Sequence, residues 1–451
     1  MKLVVIGGTA AGLSAASKAR RLDPQMEITV FEASGYVSYG ACGLPYYVGG
    51  SIEHVDDLIS LNAQQLQEQR NITTLIRHRV TKIDRTHKQV EVCELDTGRT
   101  FLKDYDRLVI ATGASPVVPR LPGADGSGVF TLRTVEDGLR LHSQIAAPAQ
   151  KCVIIGGGFI GLELSEQLCL SGLEVQVVEA LPRLLPMLPE AYAQLTRQEL
   201  EAHGISLHTG LSATEILRGE DGAVSGVQLS DGMVLPADFV VFSVGVRPAS
   251  QLAIECGLKV NQKGGIVVDM EQRTSDPDIW ACGDCVQMRN LITGAPCYVP
   301  LGTTANKQGR IAGENAAGGH AAFQGVLGSQ VTKIFDLYLS STGLSLDQAL
   351  SADYPATSVS ITKGDRASYY PGGSVNHITL VFRKDNGQLL GAQACGSATI
   401  AGRINALATA ITCKMDVHQL NELDLVYSPS VAPVYDPILI AAAQAVKKVE
   451  H

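Results

Sequence analysis

Apolar residues along this chain come in short runs that stop at glycine, and a stretch of helical period follows. Leu3-Val4-Val5-Ile6 enters Gly7-Gly8-Thr9-Ala10-Ala11-Gly12, a helix is expected through Arg21, and a second run, Ile28 to Phe31, ends at Glu32. Short, fully apolar runs bounded by glycine read as buried strands of a parallel sheet. Residues 152–155 begin the pattern again. They lead into Gly156-Gly157-Gly158-Phe159-Ile160-Gly161, a helix, and Val175-Gln176-Val177-Val178 ending at Glu179. Strand, glycine turn, helix, strand and acid in that order form the dinucleotide-binding fingerprint. Backbone N–H groups at the helix start hold the pyrophosphate, and the acid bonds the ribose hydroxyls. The first copy has Thr9 at the middle glycine position, whereas the second has all three glycines. Two complete units imply two dinucleotides in one chain.

Between the units, Leu108 to Gly113 is a strand ending on a small-residue turn, followed by Pro116 and Pro119. A matching exit, Phe239 to Gly245 with Arg247-Pro248, closes the second unit. Ile279-Trp280-Ala281 then delivers Cys282-Gly283-Asp284, an aspartate on a glycine turn suited to bonding a polyol chain. The second unit is therefore expected to be inserted in the first domain. The division is 1–114 with 248–325, then 115–247, then 326–451. In the last part Thr379–Arg383 and Leu389–Ala392 flank Asn386-Gly387, a hairpin signal, and helices are expected near 399–414 and 435–448. The fold class is α/β, with two Rossmann-like units and a C-terminal α+β domain.

A chain of 451 residues is too long for one core and calls for two or three domains. Its formal net charge of −9 argues against general nucleic-acid binding, which needs a basic face. No apolar run is long enough to span a bilayer, and the first apolar run is already a strand, so neither a membrane anchor nor a signal peptide is expected. Ten cysteines without dense pairing spacing suit a reducing cytoplasm. The histidines form no ligand cluster, and no metal is expected. Cys282-Gly283-Asp284-Cys285 has C-x-x-C spacing but lies within the aspartate turn, so it reads as structural. Cys93, Cys152, Cys169, Cys256, Cys297, Cys395 and Cys413 are scattered in apolar contexts and read as inert.

The remaining cysteine stands apart. Cys42 lies in Ser38-Tyr39-Gly40-Ala41-Cys42-Gly43-Leu44-Pro45-Tyr46, and Pro45 suits the first turn of a helix. A thiol at or just before a helix N-terminus has its thiolate favoured by the free N–H groups.

This arrangement resembles the flavoprotein pyridine nucleotide-disulfide oxidoreductases along its whole length. The resemblance implies that the first unit holds FAD, through Gly7, Thr9, Ala10, Gly12, Glu32, Val80, Thr112, Gly113 and Asp284. The second would hold NAD(P)H, through Gly156, Gly158, Phe159, Ile160, Gly161, Glu179 and Gly245. The third domain would make a homodimer. Glu179 favours NADH over NADPH, and Arg183 nearby could offset it. Members with a redox pair space it C-x4-C, and here the second position is Tyr47, so Cys42 has no sulfur partner at that spacing. NADH oxidases and peroxidases of the family use a histidine in the first glycine loop, where this chain has Ala10. Among single-cysteine members the sequence is most similar to coenzyme A-disulfide and CoA-persulfide reductases, although Ala41 replaces their usual asparagine.

That similarity implies Cys42, Tyr369 and Tyr427 as catalytic residues, the tyrosines acting across the dimer interface. It implies Ser14, Lys18, Arg21, Ser38, Arg70, Asn306 and Tyr435 as the pocket for CoA. Ser14, Lys18 and Arg21 recur at helical spacing and share one face. The expected reaction is NAD(P)H-dependent reduction of CoA disulfide, persulfide or polysulfide through a Cys42–CoA mixed disulfide. The alternatives are an oxidase or peroxidase using a Cys42 sulfenic acid, and a low-turnover FAD redox sensor. No rhodanese module is expected within the 451 residues.

Overall fold

The computed structural model describes residues 1–146 and 150–449. The first apolar runs form the strands Lys2–Ile6 and Glu27–Phe31, joined by the helix Ala10–Leu22. They pair in parallel with Ile6 opposite Phe31, so the glycine turn and Glu32 leave the sheet side by side. The strand Arg107–Ile110 pairs on the other side of Lys2–Ile6, and Thr73–Leu75 lies outside Glu27–Phe31. Ile279–Ala281 completes this five-stranded sheet next to Arg107–Ile110, although the whole second unit intervenes in sequence. Every ladder in it is parallel. Val4, Val5, Val30, Val109 and Trp280 are fully buried, as a sheet covered on both faces requires.

The second unit repeats the plan. Lys151–Ile155 pairs in parallel with Glu174–Glu179 and with Phe239–Phe242, and Ser206–Thr209 and Val129–Thr131 form the edges. The exits from the two units, Ala114–Pro116 and Val246–Pro248, pair antiparallel with each other. The chain thus enters and leaves the second unit through one two-stranded neck. Two antiparallel three-stranded sheets, over 78–104 and 213–236, had no counterpart among the expected elements.

The last part is a five-stranded antiparallel sheet in the order Gln330–Ile334, Leu337–Gly343, Leu389–Gly396, Val375–Arg383, Ala356–Gly364. The Asn386-Gly387 hairpin joins two of these strands, and Gly387 has the positive φ (72°) that the turn needs. Helices Ile400–Thr412 and Pro437–Val446 pack on the sheet through Ile404, Leu407, Ile438 and Ala442. The second helix is shorter than the expected 435–448, because Asp436 caps it and Pro437 opens it. No helix among the described residues is long and apolar enough to cross a membrane.

Candidate active site

Both glycine turns face one cavity of about 2100 Å³. That exceeds a single small-ligand pocket, typically about 300–1,000 Å³. Its walls include Gly7, Thr9, Ala10, Glu32, Val80, Thr112, Gly113 and Asp284 from the first unit. Gly156, Gly158, Phe159, Ile160, Glu179 and Gly245 line it from the second. Cys42 and Asn306 line it as well. Gly12 and Gly161 do not. Each is buried where its helix crosses the preceding turn, and a Cβ there would collide with the carbonyl oxygen of Gly7 or Gly156. They let helix and strand approach, which is the third glycine's role in the fingerprint.

The two acids sit in matching frames. Glu32 accepts hydrogen bonds from the Gly8 N–H at 2.7 Å and the Ser34 N–H at 2.8 Å. Glu179 accepts from Gly157 at 2.8 Å and Leu181 at 2.8 Å. Gly7 (φ 107°) and Gly156 (φ 114°) take backbone conformations open only to glycine. Burial pushes the Glu32 carboxyl above its ordinary value, against its backbone hydrogen bonds. Arg183 donates to the carbonyl of Pro186 at 3.0 Å, within its own loop, and does not reach the cavity wall.

Asp284 shows most directly which kind of group the first unit fits. Its Oδ2 accepts from Arg133 at 2.7 Å, while its buried Oδ1 has no partner. A buried carboxylate oxygen without a donor is costly, and hydroxyls of a polyol would satisfy it. The residues present therefore fit FAD in the first unit. Cys282 and Cys285 beside it are fully buried, and Cys285 Sγ donates to the Cys282 carbonyl at 3.3 Å. Among the described residues, no three His, Cys, Asp or Glu side chains gather as a metal-holding group.

Cys42 sits in a 3-10 turn, Ala41–Gly43, that runs directly into the helix Leu44–Val48 with Pro45 in its first turn. It is exposed on the cavity wall. Tyr47 is buried and stacks on His142 at 4.8 Å between ring centroids, so a core aromatic occupies the place of a second sulfur. The expected lowering of the Cys42 thiol is not what the chain's own groups provide. Enclosure by the cavity pushes it up, Glu163 and Asp284 push the same way, and Arg133 opposes them.

The remaining predicted residues fall into two groups. Ser14 donates to Asn306 at 2.7 Å, Lys18 pairs with Glu314 at 2.9 Å, and Arg70 donates to Ser17 at 2.8 Å. The helix Ala10–Leu22 thus gathers five of the seven expected pocket residues, among them Arg21, exposed on its last turn. Ser38, with φ 50°, holds Ser60 through its carbonyl and does not line the cavity. Tyr369 and Tyr427 share a hydrogen bond of 3.0 Å on the exposed face of the third domain, and Tyr435 is exposed on the same domain. None of these three tyrosines lines the cavity of its own chain.

Sequence reasoning missed Arg133 and Glu163. Glu163 lines the cavity and accepts from Thr332 at 2.6 Å, and burial pushes its carboxyl up. Glu166, one turn on, is buried and pairs with Lys333 at 2.7 Å. Two acids on inward positions of the mostly apolar helix Phe159–Leu170 were the available signal. Arg133 had none.

The sequence profile described as "Pyridine nucleotide-disulphide oxidoreductase" matches residues 1–309, and the dimerisation-domain profile of that family matches 329–436. A protein named NADH oxidase from Methanocaldococcus jannaschii is 37% identical over all of both chains. A CoA-dependent NAD(P)H sulfur oxidoreductase from Pyrococcus abyssi is 34% identical, over 98% of this chain and 97% of its own. The solved NAD-dependent persulfide reductase from A. fulgidus superposes with a TM-score of 0.96 at 40% identity, covering 99% of this chain and 83% of that one. The chain belongs to the pyridine nucleotide-disulfide oxidoreductase family. It is an NAD(P)H-dependent flavoprotein reductase with a C-terminal dimerisation domain.

Proposed function

We propose that this enzyme reduces the disulfide or persulfide of coenzyme A, with Cys42 as its single redox-active sulfur and NADH as the preferred donor. One observation carries this. Cys42 is exposed on the wall shared by both glycine turns, and Tyr47 fills the place of a second sulfur. The relatives named for CoA-dependent sulfur and persulfide reduction support the substrate. The flavin is held by segments 1–114 and 248–325 and the nicotinamide by 115–247. Dimerisation falls to 326–451, of which 450–451, like 147–149 in the middle segment, lie outside the described residues.

When bound, NAD(P)H and FAD supply an electron pair to the cavity as hydride. The chain's part is to present a sulfur to it. Cys42 thiolate attacks one sulfur of the CoA disulfide. A Cys42–CoA disulfide forms, the substrate S–S bond breaks, and one CoA leaves as thiolate. The electron pair then cleaves the mixed disulfide, restoring the Cys42 thiolate and releasing the second CoA. The sum is NADH, a proton and CoA disulfide giving NAD⁺ and two CoA thiols. With the persulfide, attack at the carbon-bound sulfur expels hydrosulfide and gives the same mixed disulfide. Glu32 and Asp284 orient the flavin's ribose and polyol, and Glu179 the nicotinamide nucleotide's ribose. Ser14, Lys18, Arg21, Arg70 and Asn306 hold the phosphate end of CoA. The Tyr369–Tyr427 pair lies outside its own chain's cavity, which supports a homodimer whose pair serves the other chain's Cys42. There it would protonate the departing thiolate.

A second reading, NADH oxidase, is favoured by the name of the Methanocaldococcus relative. Ala10, where oxidases of this family have histidine, weighs against it. Comparing CoA-disulfide turnover with oxygen uptake decides between them: oxygen uptake at a rival rate would replace the first reading. Cys42→Ser should keep FAD and lose disulfide reduction. Native mass before and after dithiothreitol tests the covalent step, with a loss equal to CoA expected.

A further inference from the structure

The helices Ala10–Leu22 and Gly302–Ala316 pack with their backbones close. A Cβ at Gly313 would strike the Ala15 carbonyl, and one at Gly309 would lie 2.9 Å from Ser14 Cβ. This close crossing sets two polar rungs along one edge, Ser14 to Asn306 at 2.7 Å and Lys18 to Glu314 at 2.9 Å. The second rung is an ion pair on the side chain that was expected to meet a phosphate. The stem of Glu314 is packed, while its carboxylate end stays part-exposed. Its Cγ lies against Gly319, where an added Cβ would stand 2.6 Å off, and the Gly319 N–H donates to the Glu314 carbonyl at 2.9 Å. The turn after the helix therefore fixes the stem, and among the described residues the carboxylate beyond it is held by Lys18 alone. Both side chains keep about a third of their surface in solvent (27% and 30%), so a ligand can reach the pair. Arg310, one turn before Glu314 on the same helix, is exposed.

We propose that Glu314 is a carboxylate gate at the phosphate end of the substrate pocket. It occupies Lys18 until a phosphate of the incoming thiol carrier displaces it. The gate therefore sets how strongly the enzyme prefers phosphate-bearing disulfides over phosphate-free ones. This rests on the reading of the Ser14–Lys18–Arg21 face given under Proposed function. A phosphate brings more charge and more acceptor oxygens than one carboxylate and outcompetes it. A part-exposed pair is weak enough to open, and its strength corresponds to roughly a two- to fivefold change in affinity.

Steady-state kinetics of the flavin-loaded enzyme test this with two substrates, CoA disulfide and pantethine, which has the same thiol arm but neither the phosphates nor the adenosine. Glu314→Gln should lower KM for CoA disulfide about two- to fivefold and leave KM for pantethine unmoved. Gly319→Ala, which pushes on the Glu314 stem, should shift KM for CoA disulfide in the same direction. Lys18→Met should raise it and remove the gain from Glu314→Gln. Flavin content reports whether each variant is folded. A higher KM for CoA disulfide in Glu314→Gln would make Glu314 a support for Lys18 and overturn the gate. So would no shift, or an equal shift on both substrates. If the parent enzyme does not distinguish the two disulfides and Lys18→Met changes nothing, the CoA reading itself fails, and the gate with it.

Discussion

Tyr369 Oη stands 3.0 Å from Tyr427 Oη, on two loops of the third domain far apart in sequence. That bond raises the Tyr427 hydroxyl above its ordinary value, which already lies well above neutral pH, so the group is a protonated phenol able to donate. Tyr427→Phe should cut kcat about a hundredfold if it is the proton donor. Tyr369→Phe should do less at neutral pH. Because the lost bond is what raised Tyr427, the alkaline fall in kcat should then begin at lower pH. An unmoved pH–kcat profile would leave the pair as interface packing.

Cys42 offers a second pH test. Cavity enclosure, Glu163 and Asp284 all push its thiol up. Only the thiolate reacts, so in flavin-stripped protein its alkylation rate should climb about tenfold per pH unit from neutral to about pH 9. Cys42→Ser supplies the background for subtraction. Glu163→Gln should make Cys42 react faster at neutral pH, since it removes one of the two carboxylates that oppose the thiolate. A flat profile would show a thiolate already formed.

The strands, glycine turns and acids of both nucleotide units were legible because the signal is local. A four-residue apolar run, a turn that only glycine can make at Gly7 and Gly156, and an acid at the next strand's end all fall within one supersecondary unit. Ile279–Ala281 returns to the first sheet beside Arg107–Ile110, and its signal in the sequence was the short apolar run that delivers Asp284 to a glycine turn. The pairs that complete the site were not legible. Arg133 with Asp284, Lys18 with Glu314, and Glu163 with Thr332 each join elements that only the packed fold brings together. A charged side chain carries no sequence period that marks its partner. Cys42 shows the same limit: its helix start was legible, but the carboxylates that set its electrostatics come from other parts of the chain.

Asp284 Oδ1 is buried and unpartnered, while Oδ2 is tied to Arg133. Asp284→Ala should strip flavin from the purified enzyme. The loss of hydrogen bonds to a charged group, about 1.5–3 kcal/mol, corresponds to roughly ten- to a hundredfold weaker binding. The ratio of flavin to protein absorbance measures it. Arg133→Met should also weaken binding, because it leaves Asp284 without its counter-ion. Full flavin content in Asp284→Ala would remove this residue from the flavin site.

Glu179 accepts two backbone N–H groups and still faces the cavity, so its carboxylate oxygens keep lone pairs for ribose hydroxyls. A 2′-phosphate placed there would meet that negative charge. Arg183, the one nearby cation that the sequence suggested as relief, is turned to the carbonyl of Pro186. The enzyme should therefore show a kcat/KM for NADH at least tenfold above that for NADPH, the ratio expected from about 1.4 kcal/mol. Glu179→Ala should narrow the gap from both sides, since NADH loses a partner and NADPH loses a repulsion. Arg183→Ala should leave the ratio where it was. A parent enzyme that prefers NADPH, or an Arg183→Ala variant that loses NADPH activity selectively, would mean that Arg183 leaves Pro186 to meet the phosphate.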